Sequence, residues 1–123
     1  MLARTERLAR RRDFAAVYAR KRSWAGPFLV LYVRRHGDAD RPETRRFGFS
    51  VSKKVGKAHV RNQVKRRLRE ICRLRGVEWD RGFDAVFVAR SASAQASYDE
   101  LDSAVCDLIV RGRLLAAATP AEA

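Results

Sequence analysis

The sequence predicts a small α+β domain, a two-layer sandwich with helices packed on a short sheet. Three patterns carry this expectation. Residues 28–33, Phe-Leu-Val-Leu-Tyr-Val, form a short apolar run rich in β-branched and aromatic side chains behind a Gly-Pro break. Val60, Val64, Leu68, Ile71 and Cys72 recur at the spacing of one helix face. Ser97-Tyr-Asp-Glu100 has the form of a capping box opening a final helix. A chain of 123 residues with 46% hydrophobic content fits one domain with its own core.

Taken in order, residues 1–11 read as a basic, loosely ordered arm. A first helix is expected from Arg12 to Lys21, with Asp13 near its positive end and Phe14, Val17 and Tyr18 on one narrow face. Ser23 to Pro27 breaks it. In the strand that follows, Phe28, Val30 and Tyr32 share one face and Leu29, Leu31 and Val33 the other. His36 to Arg45 reads as a polar loop. A second strand is expected from Arg46 to Ser52, with Phe47, Phe49 and Val51 on one face and the small residues Gly48, Ser50 and Ser52 on the other. The main helix spans His59 to Arg75 and ends at Gly76. Phe83 to Ala89 is the third strand. The last helix presents Leu101, Val105, Leu108 and Ile109 to the core, and residues 116–123 form a frayed Ala-rich tail. The strand–helix–strand connection around the main helix is expected to be right-handed by the general rule.

Charge speaks to partners. The 27 Lys and Arg against 14 Asp and Glu leave a formal charge of +13, and nucleic acid is the first candidate for such a surface. Residues 48–69 concentrate it: Lys53, Lys54, Lys57, Arg61, Asn62, Lys65, Arg66, Arg67 and Arg69, with no acid among them. On a helical wheel Arg61, Asn62, Lys65, Arg66, Arg69 and Arg73 adjoin the apolar stripe. Arg can grip phosphate with two N–H groups, Lys acts as a point charge, and an Asn amide both donates and accepts. No run of about 18 apolar residues suggests a membrane span, and the Arg-rich start has no apolar stretch of a secretory signal. Cys72 and Cys106 lie in helical patterns without metal-ligand spacing and read as reduced core thiols of a cytoplasmic protein. His36 and His59 are far apart in the chain, so neither a catalytic pair nor a metal site is expected.

The segment from Phe47 to Glu70 resembles the protein subunit of bacterial ribonuclease P. Ser50-Val-Ser52-Lys53-Lys54, the Gly56 turn, and Arg61-Asn62 with Lys65-Arg66 on a helix match that family's signature in order. Arg7-Leu8, Asp13-Phe14, Val17-Tyr18 and Val30-Leu31-Tyr32 agree as well, so the resemblance covers residues 4–115. Two positions depart: Gln63 stands where Arg is frequent, and His59 where an aliphatic residue is common. The resemblance implies an αββ(β)αβα fold with a left-handed βαβ crossover, which overrides the general rule. It also implies a ribonucleoprotein that removes the 5′ leader of precursor tRNA, in which the RNA is the catalyst and binds Mg²⁺. The protein would bind no cofactor, carry no catalytic residue, and pair one copy with one RNA.

By that resemblance, Lys53, Lys54, Lys57, Arg61, Asn62, Lys65, Arg66 and Arg69 contact RNA. Phe14, Tyr18, Tyr32, Ser50 and Ser52 line a cleft for the leader. Aromatic stacking suits a subunit serving many precursors, because every base has a π-face. The plainer reading of the three rings is core packing of the first helix. Three other classes compete: a structural RNA-binding protein, a nuclease acting alone, and a DNA-binding helix for a major groove.

Overall fold

The computed structural model describes residues 4–36 and 44–115; the centre of the expected polar loop and the Ala-rich tail lie outside them. Helix α1 spans Arg11–Ala19, strand β1 Ser23–Ala25, β2 Leu29–Arg35, β3 Arg45–Ser50, helix α2 Ala58–Arg75, β4 Phe83–Ala89 and α3 Tyr98–Arg111. Short 3₁₀ turns lie at Arg4–Glu6, Gly76–Glu78 and Ser91–Gln95. The four strands form one sheet in the order β1-β2-β4-β3. β4 runs antiparallel to β2 and parallel to β3, so α2 is the crossover between two parallel neighbours.

Alternation along the strands gives the sheet two unlike faces. Leu29, Leu31, Val33, Phe47, Phe83, Ala85, Phe87 and Ala89 point to the main core. There they meet Val64, Leu68, Ile71 and Cys72 of α2 and Leu101, Val105, Leu108 and Ile109 of α3. Each fully buried Leu, Ile or Phe contributes about 1.5–3 kcal/mol relative to exposure. The Ser97 hydroxyl accepts from the Glu100 N–H at 3.0 Å and the Glu100 carboxylate from the Ser97 N–H at 2.8 Å, completing the capping box.

The opposite face carries α1 over a smaller cluster of Leu8, Val17 and Val86, with Phe14, Tyr18, Tyr32 and Val88 half-buried around it. Its rows follow from the register: Arg34, Asp84 and Arg46 side by side, then Tyr32, Val86 and Gly48, then Val30, Val88 and Ser50.

Four expectations need correction. The stretch read as a break after α1 contains β1, which pairs with β2 from Ser23 opposite Tyr32 to Ala25 opposite Val30. Arg45 does not end a polar loop; it opens β3 and is buried. β3 ends at Ser50, so Val51 and Ser52 belong to the exit turn. Cys106 is not a core thiol: it is half-buried on α3, its Sγ 3.8 Å from Asp102. In addition, part of the expected arm is docked, since the Leu8 N–H bonds the Phe47 carbonyl at 2.9 Å and Leu8 is buried.

The two thiols should behave differently. Burial pushes the Cys72 thiol far above its ordinary value; burial, then the Asp102 charge, raises that of Cys106. A raised thiol pKa means less thiolate at neutral pH and slower alkylation. In the native protein Cys106 is expected to react slowly, at a rate still rising past pH 9.0, and Cys72 only on unfolding. Thiol titration with Ellman's reagent, native and in guanidinium, checks this; a rate that levels off near neutrality would contradict it.

Candidate nucleic-acid interface

Cations and acids are sorted in this molecule. Among the described residues, most acids pair with cations outside the Lys53–Lys57 turn and the Arg61–Arg69 series. Asp84 takes Arg34, Arg46 and His36; Glu6 takes Arg45; Asp80 takes Arg35. Glu70 takes Arg73 and Asp102 takes Arg75. The Arg75 fork holds the Asp102 carboxyl below the usual carboxylate range, and Arg73 does the same to Glu70. No carboxylate among the described residues pairs with Lys53, Lys54, Lys57, Arg61, Lys65, Arg66 or Arg69.

Local folding explains how these cations gather. Buried Val55, whose N–H bonds the Ser52 carbonyl at 3.0 Å, closes a turn that leaves Lys53 and Lys54 exposed. The Ser52 hydroxyl accepts from the Lys54 N–H at 3.3 Å, so this serine shapes the turn. Lys57 precedes α2, which starts with no side-chain cap and no acid in its first turn. The positive end of the helix dipole therefore adds to the lysine field. Burying Val64, Leu68, Ile71 and Cys72 turns Asn62, Lys65, Arg66 and Arg69 outward along one side. Arg61 lies half-buried at the helix start, its Nε donating to the Gly56 carbonyl at 3.1 Å. Arg67 stands apart, donating to the Ala96 carbonyl at 3.1 Å, which makes it a tie between α2 and the loop before α3. Gln63 lies on that same far side of the helix, at about 100° per residue.

The aromatic residues gather on the α1 face of the sheet. Tyr18 and Tyr32 meet edge to face, ring centres 4.9 Å apart at 87°. Burial raises the Tyr18 phenol above its ordinary value, while a hydrogen bond with the Ser50 side chain acts against that shift. Phe14 lies on Gly48, where a Cβ would come within 2.6 Å of the ring. All three rings are only half-buried, as are Val30, Val88 and Ser50 in the next row. The rings thus pack α1 on the sheet and also border an open groove. β3 leaves the groove at Ser50 and leads directly into the Lys53–Lys54 turn, so groove and basic face are contiguous.

Sequence reasoning grouped Phe14, Tyr18, Tyr32, Ser50 and Ser52; the structure places the first four on one face of the sheet and Ser52 apart in the exposed turn. That grouping missed Val30 and Val88 as the floor between them; their alternation with core residues on β2 and β4 was the available signal. The Gly48 contact predicts that Gly48→Ala destabilises the fold by about 1–3 kcal/mol, as overpacking does. Urea unfolding measures it, and an unchanged midpoint would mean that Phe14 is not fixed there.

Among the described residues no three His, Cys, Asp or Glu side chains group as metal ligands, and no helix is long and apolar enough to cross a membrane. A sheet with half-buried rings on one face, beside a helix whose cations at Lys65, Arg66 and Arg69 have no carboxylate partner among the described residues, defines a small basic α+β domain. The family model for ribonuclease P matches residues 2–112. The ribonuclease P protein component of Alkaliphilus oremlandii is 39% identical over 109 residues, covering 89% of this chain and 92% of that protein. That of Clostridium kluyveri is 42% identical over 110 residues, with 88% and 95% covered. The ribonuclease P protein structure from Thermotoga maritima superposes with a TM-score of 0.75 at 30% identity over 86% of this chain and 96% of that one. A Staphylococcus aureus ribonuclease P protein shares the fold at a TM-score of 0.79 and 24% identity, over 89% and 97%. The chain belongs to the ribonuclease P protein family, the protein component of a ribonucleoprotein endoribonuclease whose catalyst is RNA.

Proposed function

We propose that this protein binds the catalytic RNA of ribonuclease P through the basic side of α2 and the Lys53–Lys57 turn, and holds the 5′ leader of precursor tRNA in the adjoining groove. The observation that carries the reading is the continuity of unpaired cations with the half-buried rings of Tyr18 and Tyr32. Lys53, Lys54 and Lys57 would meet phosphates where the groove opens. Arg61, Asn62, Lys65, Arg66 and Arg69 would meet structured RNA. Phe14, Tyr18 and Tyr32 would offer ring faces and edges to leader bases, with Ser50 and Ser52 hydroxyls beside them. The Mg²⁺ ions belong to the RNA in this reading. One protein serves one RNA, in the cytoplasm.

The test is cleavage of a precursor tRNA at low Mg²⁺ by a ribonuclease P RNA, with and without the protein. Strong stimulation is expected. Tyr32→Ala should weaken binding of a long-leader precursor by the 1–3 kcal/mol that a base–aromatic stack contributes (~1–3 kcal/mol). Tight RNA binding without stimulation would favour a structural RNA-binding protein instead. Cleavage with no RNA component would place a nuclease site in the protein itself.

A further inference from the structure

The end of the groove face away from Ser50 holds a buried carboxylate. Asp84, on β4, is 1% exposed, and the register sets it between Arg34 of β2 and Arg46 of β3. Arg46 forks it, with Nε 3.1 Å from Oδ1 and Nη2 2.9 Å from Oδ2. Arg34 Nη1 lies 3.5 Å from Oδ2, and His36 Nε2 3.0 Å from Oδ1. The remaining nitrogen of Arg46, Nη1, reaches out of the sheet to Asp13 of α1 at 3.5 Å. One guanidinium therefore bridges the sheet to the helix that carries Phe14 and Tyr18.

The seating of α1 needs such a bridge. The helix has nine residues, no side-chain cap at its start, and Val17 as its only buried residue. So short a helix does not hold itself in water, and it takes its place from tertiary contacts. Phe14 and Tyr18 pack on the sheet beside Val17 but are only half-buried, so the apolar anchorage of α1 is small. Asp84 orients the guanidinium plane, as expected of a fork-to-fork pair, and the hydrogen bond to Asp84 is the main cause raising the Arg46 pKa. Lysine has three N–H donors on one nitrogen but no planar fork that spans both oxygens of one carboxylate while reaching a second carboxylate beyond it.

We propose that the Asp13–Arg46–Asp84 chain is a positioning device: it seats α1 over the sheet and thereby sets the spacing of the rings that receive the leader. The inference rests on the leader-groove reading. None of the three residues touches RNA in it. They act through Tyr18 and Tyr32.

The test uses the holoenzyme reconstituted with a ribonuclease P RNA, and two precursor tRNAs, one with a long leader and one with a single-nucleotide leader. Asp13→Ala cuts the bridge at its α1 end without unpairing Asp84; Arg46→Lys keeps the charge and loses the fork. Each should weaken the long-leader precursor about three- to tenfold, the scale of coupling through residues that contact no ligand. Affinity for the single-nucleotide leader and for the RNA should stay at the wild-type level. The double variant should be no weaker than Arg46→Lys, because both changes cut one bridge. In the free protein, the NMR contact between the Tyr18 and Tyr32 rings should weaken in both variants. Wild-type long-leader affinity in folded Asp13→Ala, or equal losses on both leaders and on RNA binding, overturns the proposal. If the wild type does not distinguish the two leaders, the groove reading fails and the proposal falls with it, whatever the NMR contact shows.

Discussion

Arg45→Met is expected to lower stability by about 3–5 kcal/mol, the usual cost of breaking a buried charged network from one side. For a domain of this size that is a fall of roughly 10–20 °C in melting temperature. Arg45 is 7% exposed. Its Nη1 donates to the carbonyls of Gly76, Trp79 and Asp80, and its Nε to Glu6 at 3.2 Å. These carbonyls belong to the 3₁₀ turn and the residues that follow α2, so Arg45 ties that connection to the start of β3; the Gly76 carbonyl also accepts from the Trp79 N–H. The guanidinium also lies 5.7 Å from the Phe47 ring centre. Methionine keeps the bulk of the stem but removes the donor that Glu6 and three backbone carbonyls share. Calorimetry or urea unfolding gives the answer, and a loss well below 1 kcal/mol would mean that water replaces the guanidinium freely.

The second large effect is on RNA affinity. Changing Lys65, Arg66 and Arg69 to alanine together should weaken binding to ribonuclease P RNA about hundred- to thousandfold, if each contact contributes roughly 1–1.5 kcal/mol. The slope of log K against log salt should become shallower by about 2, at about 0.7 per lost single-strand contact. Stability should hold or rise, because these side chains have no carboxylate partner among the described residues and repel one another. The triple change Arg73→Ala, Arg75→Ala and Arg111→Ala is the matched control, since those cations are committed to Glu70, Asp102 and Asp107. A titration in which both variants bind alike would show that only net charge matters and that the front of α2 is not a defined surface.

How much of this was legible in the sequence divides along chain separation. Strand β4 was read with its observed ends, Phe83 and Ala89, because its apolar run is bounded by Gly82 and Arg90. The amphipathic stripe of α2 and the capping box of α3 are local patterns, and they were read within a residue. β1 was missed because three residues, Ser-Trp-Ala, carry no period of their own and become a strand only beside β2. Arg45 looked like a loop residue because its partners lie 31 to 39 positions away. Arg46 and Asp84, separated by 38, were each visible as a charge in a strand, and neither announced the other. At the site, the cations were legible as a cluster. Which of them were already neutralised was legible only in part: Glu70 and Arg73 stand three apart on one helix, whereas Asp102 meets Arg75 from 27 positions away.

The strand order has a consequence for synthesis. β4 is the last strand made, yet it lies between β2 and β3, supplies Val88 to the groove floor and seats α1 through Val86. As the chain leaves the ribosome, everything up to Asp80 emerges with β2 and β3 lacking their common neighbour. The lysines and arginines of α2 are then already outside, attached to a chain with no finished core. Recognition of RNA and completion of the fold are therefore ordered in time: charge arrives first, and shape waits for the final third of the polypeptide.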